Sequence, residues 1–314
     1  MTAQPVRVGV VGATGAVGGV LLGILRERGF DDVRLFASAR SAGRELDGRP
    51  VEEATPEALA AADVDIFFFA VGASASRELV PHAVRGGALV LDKSSAWRME
   101  PGVPLVVPEV NPERALEHEG IIAVPNCSTI PLVCVLEPLH EEAGLARVRV
   151  ATYQSVSGAG LQRMEELRAE TAAEHDLRAD WGFDGEEFDE ETKIREETRK
   201  IMELPELPVS ATCVRVPVLV GHSEAVWIET ERPLPAERAR ELLAAAPGLR
   251  LEDVPSPGKA AGIDEVLVGR IRPDRSAGEN ALSFFLSADN LRKGAALNAV
   301  QVAELLVARQ ALAA

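Results

Sequence analysis

The sequence predicts an α/β fold, and three observations carry that prediction. Short apolar runs alternate with helical stretches through the first 126 residues. A glycine-rich loop joins the first of these runs to the first helix. After Asn126 the pattern changes to strand-like runs that read as a second sheet. Strands alternating with helices imply a parallel sheet with helices on its faces.

Taken in order, residues 6–11 (VRVGVV) are a short run rich in β-branched residues and read as a buried strand. Val17, Val20, Leu21, Ile24 and Leu25 then fall at i, i+3, i+4, i+7 and i+8, the apolar stripe of an amphipathic helix, which Gly29 stops. Residues 33–37 (VRLFA), 65–71 (DIFFFAV), 88–91 (ALVL) and 120–124 (GIIAV) are further strands, with helical stretches at 56–61 and 76–85. Beyond Asn126, a helical run at 130–139 precedes strands at 148–152, 209–217 and 225–229. An acidic stretch, 165–203, has helical periodicity in parts, and its charge reads as a solvated face. Pro and Gly cluster in a loop at 255–262. The last segment, 291–311, sets Ala296, Val300, Ala303 and Val307 on one helical face suited to packing back on the first domain. The expected division is residues 1–126 with 290–314 as a dinucleotide-binding domain, and 127–289 as the second domain.

The 314 residues are 46% hydrophobic and 26% charged, enough for about two domains and a core without disulfide or metal staples. The net charge of −16 makes nucleic acid and anionic membrane poor partners. It leaves room for an anionic substrate, because a few local cations hold a phosphate. Three cysteines, Cys127, Cys134 and Cys213, lack paired spacing, which argues against a disulfide framework and against a zinc site. No metal is expected. No apolar run reaches the ~20 residues that span a bilayer, and the first residues lack the layout of a signal peptide. A cytoplasmic protein is the expectation.

Gly12, Gly15 and Gly18 stand in GATGAVG between the first strand and the first helix. Glycines there permit a tight turn and close approach of backbone to a pyrophosphate, and the helix start supplies N–H groups and partial positive charge. The spacing is G-x-x-G-x-x-G, so the competing reading is a plain tight turn. An NAD site usually ends the second strand with Asp or Glu. Here that strand runs into Ser38-Ala-Arg40-Ser41, a cation and hydroxyls that suit the 2′-phosphate of NADP, unless Arg40 simply faces solvent.

Cys127, in PNCST, follows a strand and opens a helical run, where the helix dipole favours a thiolate nucleophile. Cys134 and Cys213 fall inside apolar runs and read as inert core thiols. His222 follows the 209–217 run, a place from which a histidine can relay protons, although a surface histidine has the same local pattern. Arg215, flanked by Val214 and Val216, is expensive to bury alone, so it is expected to face a cleft and grip a carboxylate. Gln154 follows another strand, with an amide able to orient an acyl oxygen.

In order, GATGAVG, SARSAG, DKSSAWRM, VPEVNPE, PNCST, QSVSGAG, ATCVRVPVLVGHSE, VGRIR and DNLRKGAALNAVQ resemble the aspartate-semialdehyde dehydrogenase family nearly end to end. Each piece is weak, but the ordered set is specific. The resemblance implies a Rossmann-type domain plus an α/β catalytic and dimerisation domain, assembled as a homodimer or a dimer of dimers. It implies reversible NADPH-dependent reduction of L-aspartyl 4-phosphate to L-aspartate 4-semialdehyde and phosphate through a cysteine thioester, feeding lysine, methionine and threonine biosynthesis. On this chain it makes Cys127 the nucleophile and His222 the acid/base. Gln154 and Arg215 match substrate positions, with Arg215 on the α-carboxylate; Arg98 and Lys193 match phosphate-side cations, and Glu190 an acid for the amino group. Gly12, Thr14, Gly15, Ala16, Val17, Arg40, Ser41, Ser157, Gly158 and Asn290 match cofactor positions.

Two departures stand out. Lys93 occupies a place where the family usually has Asn, and the stretch 172–193 is short, without the proline-rich segment that usually precedes Glu-x-x-Lys. Three rival readings are a reductase of N-acetyl-γ-glutamyl phosphate, a related acyl-CoA reductase, and a paralogue kept as a binding protein. The first tends to place its cysteine after Pro-Gly, where this chain has Asn126; the last has no need of both Cys127 and His222.

Overall fold

Every residue of β1 (Val8–Val11) is buried, as a parallel strand covered on both faces requires. It lies near the middle of a sheet with β2 (Val33–Ala37), β3 (Glu45–Leu46), β4 (Arg49–Glu53), β5 (Ile66–Phe69), β6 (Leu89–Asp92) and β7 (Ile121–Ala123). The order is β3-β4-β2-β1-β5-β6-β7, parallel except for the β3–β4 hairpin at the edge. Residues 45–53 hold no apolar run, so this hairpin has no hydrophobic signature. Gly9 is side-chain-free by necessity, since a Cβ there would lie 2.3 Å from the ring of Phe67. The chain runs outward from β1 to β2 and β4, then returns to the other flank of β1 as β5. That reversal opens a crevice at the carboxyl ends of β1 and β5, the place where α/β sheets bind ligands.

Between these strands run α1 (Ala16–Glu27), which buries Leu21, Leu22, Ile24 and Leu25, α2 (Pro56–Ala61) and α3 (Ala73–Arg85). The last begins three residues before the predicted start, because its first turn, Ala73-Ser74-Ala75, carries no large apolar residue.

The second unit contains α4 (Thr129–Ala143), β8 (Leu145–Gln154), α5 (Leu161–Ala169), α6 (Asp189–Ile201), β9 (Val209–Arg215), β10 (His222–Thr230), α7 (Ala236–Ala245), β11 (Leu249–Leu251), α8 (Pro257–Ala260), β12 (Val266–Pro273) and β13 (Ala281–Ala288). Its sheet runs β11-β12-β13-β10-β8-β9. One face is buried. The other leaves Tyr153, Trp227 and Phe285 partly exposed.

Three expectations are corrected here. The run from Val209 onward ends at Arg215, and His222 opens β10 after a loop at 216–221, so histidine and arginine stand on different strands. The 255–262 loop contains the short helix α8, begun by a proline whose fixed φ suits the first helical position. The acidic stretch is not one solvated face, because α6 buries Glu190, Glu191 and Glu197.

The final helix, α9 (Leu297–Ala313), packs against α1, and its Asn298 Nδ2 donates to the Val106 carbonyl. The structure, a computed structural model, describes residues 6–313. Its two units are Met1–Pro125 with Ala295–Ala314, and Asn126–Gly294. The second boundary falls beyond the residue 290 read from the sequence. Asn290 is hydrogen-bonded to Ser155, Ser157 and Gly221, and Gly294 lies so close to Cys127 that a Cβ would come within 2.9 Å of its carbonyl. Among the described residues, no helix is long and apolar enough to cross a membrane.

Candidate active site

In the second unit β8 and β9 run parallel and in register, and they finish together, so Gln154 stands beside Arg215. β10 runs antiparallel to β8 and begins where β8 ends, with Ser223 opposite Tyr153. Successive side chains alternate between faces. Gln154, Arg215 and His222 are accordingly brought together on the buried face at one rim of the sheet, each no more than 4% exposed.

Cys127 sits two residues ahead of α4, and its Sγ lies 3.3 Å from His222 Nε2, across 95 residues of sequence. The other ring nitrogen, Nδ1, accepts the backbone N–H of Ser155 at 3.0 Å. A backbone N–H can only donate, so the proton of the neutral ring lies on Nε2, facing the sulfur. Burial, reinforced by the positive charge of Arg215, pushes the His222 pKa down to about 3, so the ring is neutral at pH 7. Ser155 Oγ also approaches Nδ1, at 3.1 Å. It donates onward to Asn290 Oδ1, which takes Ser157 Oγ and the Gly221 N–H as well.

The loop carrying Cys127 is held from α6. Asn126 N–H donates to Glu197 Oε2 at 2.6 Å, and Asn126 Nδ2 donates to Glu190 Oε1 at 2.9 Å. Asn126 Oδ1 accepts from Ser128 N–H at 2.8 Å. Glu190 Oε1 accepts from Gln154 Nε2 as well, and Lys193 Nζ lies 3.4 Å from both Glu190 Oε2 and Asp189 Oδ2. Glu190 thus stands beside the Cys127 loop with its carboxylate engaged by protein groups. Glu197 was not singled out from the sequence. Its signal was available in the stripe Glu190, Ile194, Glu197, Ile201, spaced i, i+4, i+7, i+11, in which the acids share the apolar face.

Arg215 donates from Nη1 to the Ser155 carbonyl at 3.0 Å and to Gln154 Oε1 at 3.4 Å. Its Nε and Nη2 meet Asp180, the closer bond being 2.8 Å, and Trp181 lies over the guanidinium at 4.5 Å. Gly158 leaves room for this arrangement, since a Cβ there would stand 2.9 Å from Arg215 Nη1 and 3.5 Å from the His222 ring. Ser157, Gly158 and Asn290, expected at cofactor positions, are therefore neighbours of the His222 and Arg215 side chains. Cys134 and Cys213 are buried, and burial pushes the Cys213 thiol far up. Neither is suited to be the nucleophile.

The first unit carries the remaining expected residues. Gly12 has φ +88°, and a Cβ there would lie 2.5 Å from the Ala70 carbonyl; one at Gly18 would lie 2.3 Å from the Gly12 carbonyl. No side chain caps the start of α1 after Gly15, which leaves the first N–H groups of the helix without a side-chain acceptor. Thr14 Oγ1 donates to Ser41 Oγ at 3.4 Å, joining the glycine loop to the turn after β2, where Arg40 is exposed. This cradle fits the phosphates of a dinucleotide. Arg98 is buried, with Nε on the Val124 carbonyl and Nη2 on the Lys93 carbonyl, while Lys93 is half-buried beside Val17 and Ala296.

Residues 7–118 match the semialdehyde dehydrogenase NAD-binding domain, and residues 136–181 and 180–293 match the semialdehyde dehydrogenase dimerisation domain. The chain is 48% identical to an aspartate-semialdehyde dehydrogenase of Streptomyces akiyoshiensis, over 96% of this chain and 98% of that one. It is 47% identical to the enzyme of that name from Aquifex aeolicus, over 96% and 98%. Among solved structures, aspartate semialdehyde dehydrogenase II of Vibrio cholerae, complexed with ASA, superposes with a TM-score of 0.90 at 40% identity, over 97% and 99% of the two chains. The Candida albicans enzyme with NADP gives 0.78 at 27% identity, over 98% and 99%.

Proposed function

The chain belongs to the aspartate-semialdehyde dehydrogenase family, and we propose that it works as the phosphorylating, NADP-dependent enzyme of the cytoplasm that interconverts L-aspartyl 4-phosphate and L-aspartate 4-semialdehyde. The observation that carries this reading is the approach of Cys127 Sγ to His222 Nε2, 3.3 Å, beside a buried arginine and a buried amide.

In the reductive direction the Cys127 thiolate attacks the acyl carbon, the negative charge moves to the carbonyl oxygen, and phosphate leaves as the thioester forms. NADPH, when bound, supplies the hydride that reduces this thioester. The oxyanion that results collapses to the aldehyde as the thiolate departs. In place of the acid/base role that the resemblance gives it, His222, neutral and with its proton on Nε2, donates a hydrogen bond to negative charge as it passes between sulfur and oxygen. Removing such a donor typically lowers the rate ~10²–10³-fold. Arg215 holds the α-carboxylate, which does not change during the reaction, and Gln154 orients the acyl group. Gly12, Thr14, Gly15, Ala16, Val17, Arg40 and Ser41 hold the dinucleotide, with Arg40 and Ser41 on the 2′-phosphate. Lys193 and Arg98 serve the phosphate side. A homodimer through the partly exposed sheet face of Tyr153, Trp227 and Phe285 accords with the match to a dimerisation domain.

The test is phosphate-dependent NADPH formation from aspartate semialdehyde, with N-acetylglutamate semialdehyde as the control substrate. Activity on the control alone would replace this reading. Within the assay, His222→Ala should lower kcat with little change in KM for the aldehyde. Arg215→Lys, which keeps charge but loses the fork, should mainly raise that KM.

A further inference from the structure

The guanidinium of Arg215 is already gripped by a carboxylate of the same chain. Its five N–H groups can be accounted for one by one. The two on Nη1 point to the Ser155 carbonyl and Gln154 Oε1. The Nε hydrogen and one on Nη2 go to Asp180, at 3.3 and 2.8 Å. That leaves a single Nη2 hydrogen. Asp180 thus holds the Nε/Nη2 edge, the side-on fork that a planar carboxylate takes from an arginine.

The segment bearing Asp180 is seated on Arg215 by more than this ion pair. The backbone of Arg178 exchanges two hydrogen bonds with that of Arg215, at 3.0 and 2.7 Å. Trp181 covers the guanidinium and packs on Phe188. Asp180 itself is about one-third exposed, so its carboxylate already borders water. The family match to the second unit comes in two pieces that meet at residues 180 and 181, so the chain departs from the family pattern at this place.

We propose that Asp180 is a built-in competitor for the substrate carboxylate: it occupies the Arg215 fork in the resting enzyme, and the substrate binds by exchanging with it. This rests on the reading of Arg215 as the α-carboxylate site. No covalent step is involved; one carboxylate replaces another on the same donors, and Asp180 turns to solvent. Apparent affinity scales with the fraction of molecules in which the fork is open. A contact closed in about two thirds to nine tenths of molecules therefore raises KM roughly 3- to 10-fold.

The experiment compares Asp180→Ala, Asp180→Asn, Arg215→Lys and the Asp180→Ala/Arg215→Lys pair in phosphate-dependent NADPH formation. Both Asp180 variants should lower KM for aspartate semialdehyde, by roughly 3- to 10-fold for alanine and less for asparagine. They should leave kcat and the KM values for phosphate and NADP unchanged. In the Arg215→Lys background the gain should shrink. If Arg215→Lys raises KM but Asp180→Ala leaves it unchanged or raises it too, Asp180 is a buttress and the proposal is overturned while the arginine's role stands. If Arg215→Lys leaves KM unchanged, the reading of the arginine fails first, and the competitor with it.

Discussion

Replacing Asn290 by alanine removes an amide on which four hydrogen bonds converge. Its Oδ1 accepts from Ser155 Oγ at 3.0 Å, Ser157 Oγ at 3.1 Å and the Gly221 N–H at 2.9 Å, and its Nδ2 donates to Ser157 Oγ at 2.9 Å. In the variant the two serine hydroxyls, 3.0 Å apart, can pair with each other. The Gly221 N–H has no such substitute. An orphaned buried donor costs ~1–3 kcal/mol, and each net hydrogen bond lost costs ~1 kcal/mol, so a destabilisation of ~2–4 kcal/mol is expected. Gly221 precedes His222, and Ser155 holds the ring through Nδ1, so the imidazole loses its orientation and kcat should fall roughly tenfold, the equivalent of ~1.4 kcal/mol. Urea unfolding reads the stability as a shifted midpoint at constant slope. Steady-state kinetics with NADP varied reads the rest, and KM for NADP should change less than kcat. A variant within ~0.5 kcal/mol of wild type, with its damage confined to KM for NADP, would show that Asn290 serves the cofactor directly and refute this account.

Three further outcomes are expected. Cys127→Ser should abolish turnover in a folded protein, and alkylation should inactivate through Cys127 alone; activity that survives Cys127→Ser but not Cys134→Ser would relocate the nucleophile. Arg40→Ala should raise KM for NADP but not for NAD, by roughly tenfold or more if the guanidinium makes a charge-assisted bond of ~1.5–3 kcal/mol; an unchanged preference between the two cofactors would remove Arg40 from the 2′-phosphate site. Burial, with Glu141 and Glu203 nearby, pushes the Glu137 pKa up to about 7 from 4.5. The folded state therefore holds that proton more tightly than the unfolded state, and the associated stability is complete below pH 4.5 and lost as pH rises through 7. Glu137→Gln should be neutral at pH 4 and stabilise at pH 8 by ~1 kcal/mol, after discounting for the partly exposed side chain; thermal melts at both pH values that show the reverse order would contradict it.

What was legible in the sequence is what local chemistry specifies. The apolar spacing of α1, the glycines that a tight loop demands and the Pro-Asn-Cys127 context all lie within a few residues. The proximity of Cys127 to His222 does not, because it is made by strand pairing across 95 positions. Nor does the burial of Glu197, whose partner is the N–H of Asn126, 71 positions away. A glutamate in an acidic helix gives no local sign that a distant backbone donor awaits it. Arg215 was expected in a cleft because a lone guanidinium among valines is costly to bury. That its resting partner is Asp180 follows from the path of a loop with no periodicity of its own. The β3–β4 hairpin was missed for the same kind of reason, its residues being too polar to mark a strand.

The matched ends of β8 and β9 have a consequence for how the enzyme is made. Parallel strands cannot be joined by a tight turn, and here 54 residues separate Gln154 from Val209. Closing so long a loop is entropically unfavourable until the pairing it permits is complete. A slip of one residue in that pairing would turn Arg215 to the opposite face from Gln154. The pairing of Gln154 with Arg215 therefore comes into being at the end of assembly of the second unit. During refolding from denaturant, catalytic activity should return with the slowest phase, after the burst of helix formation.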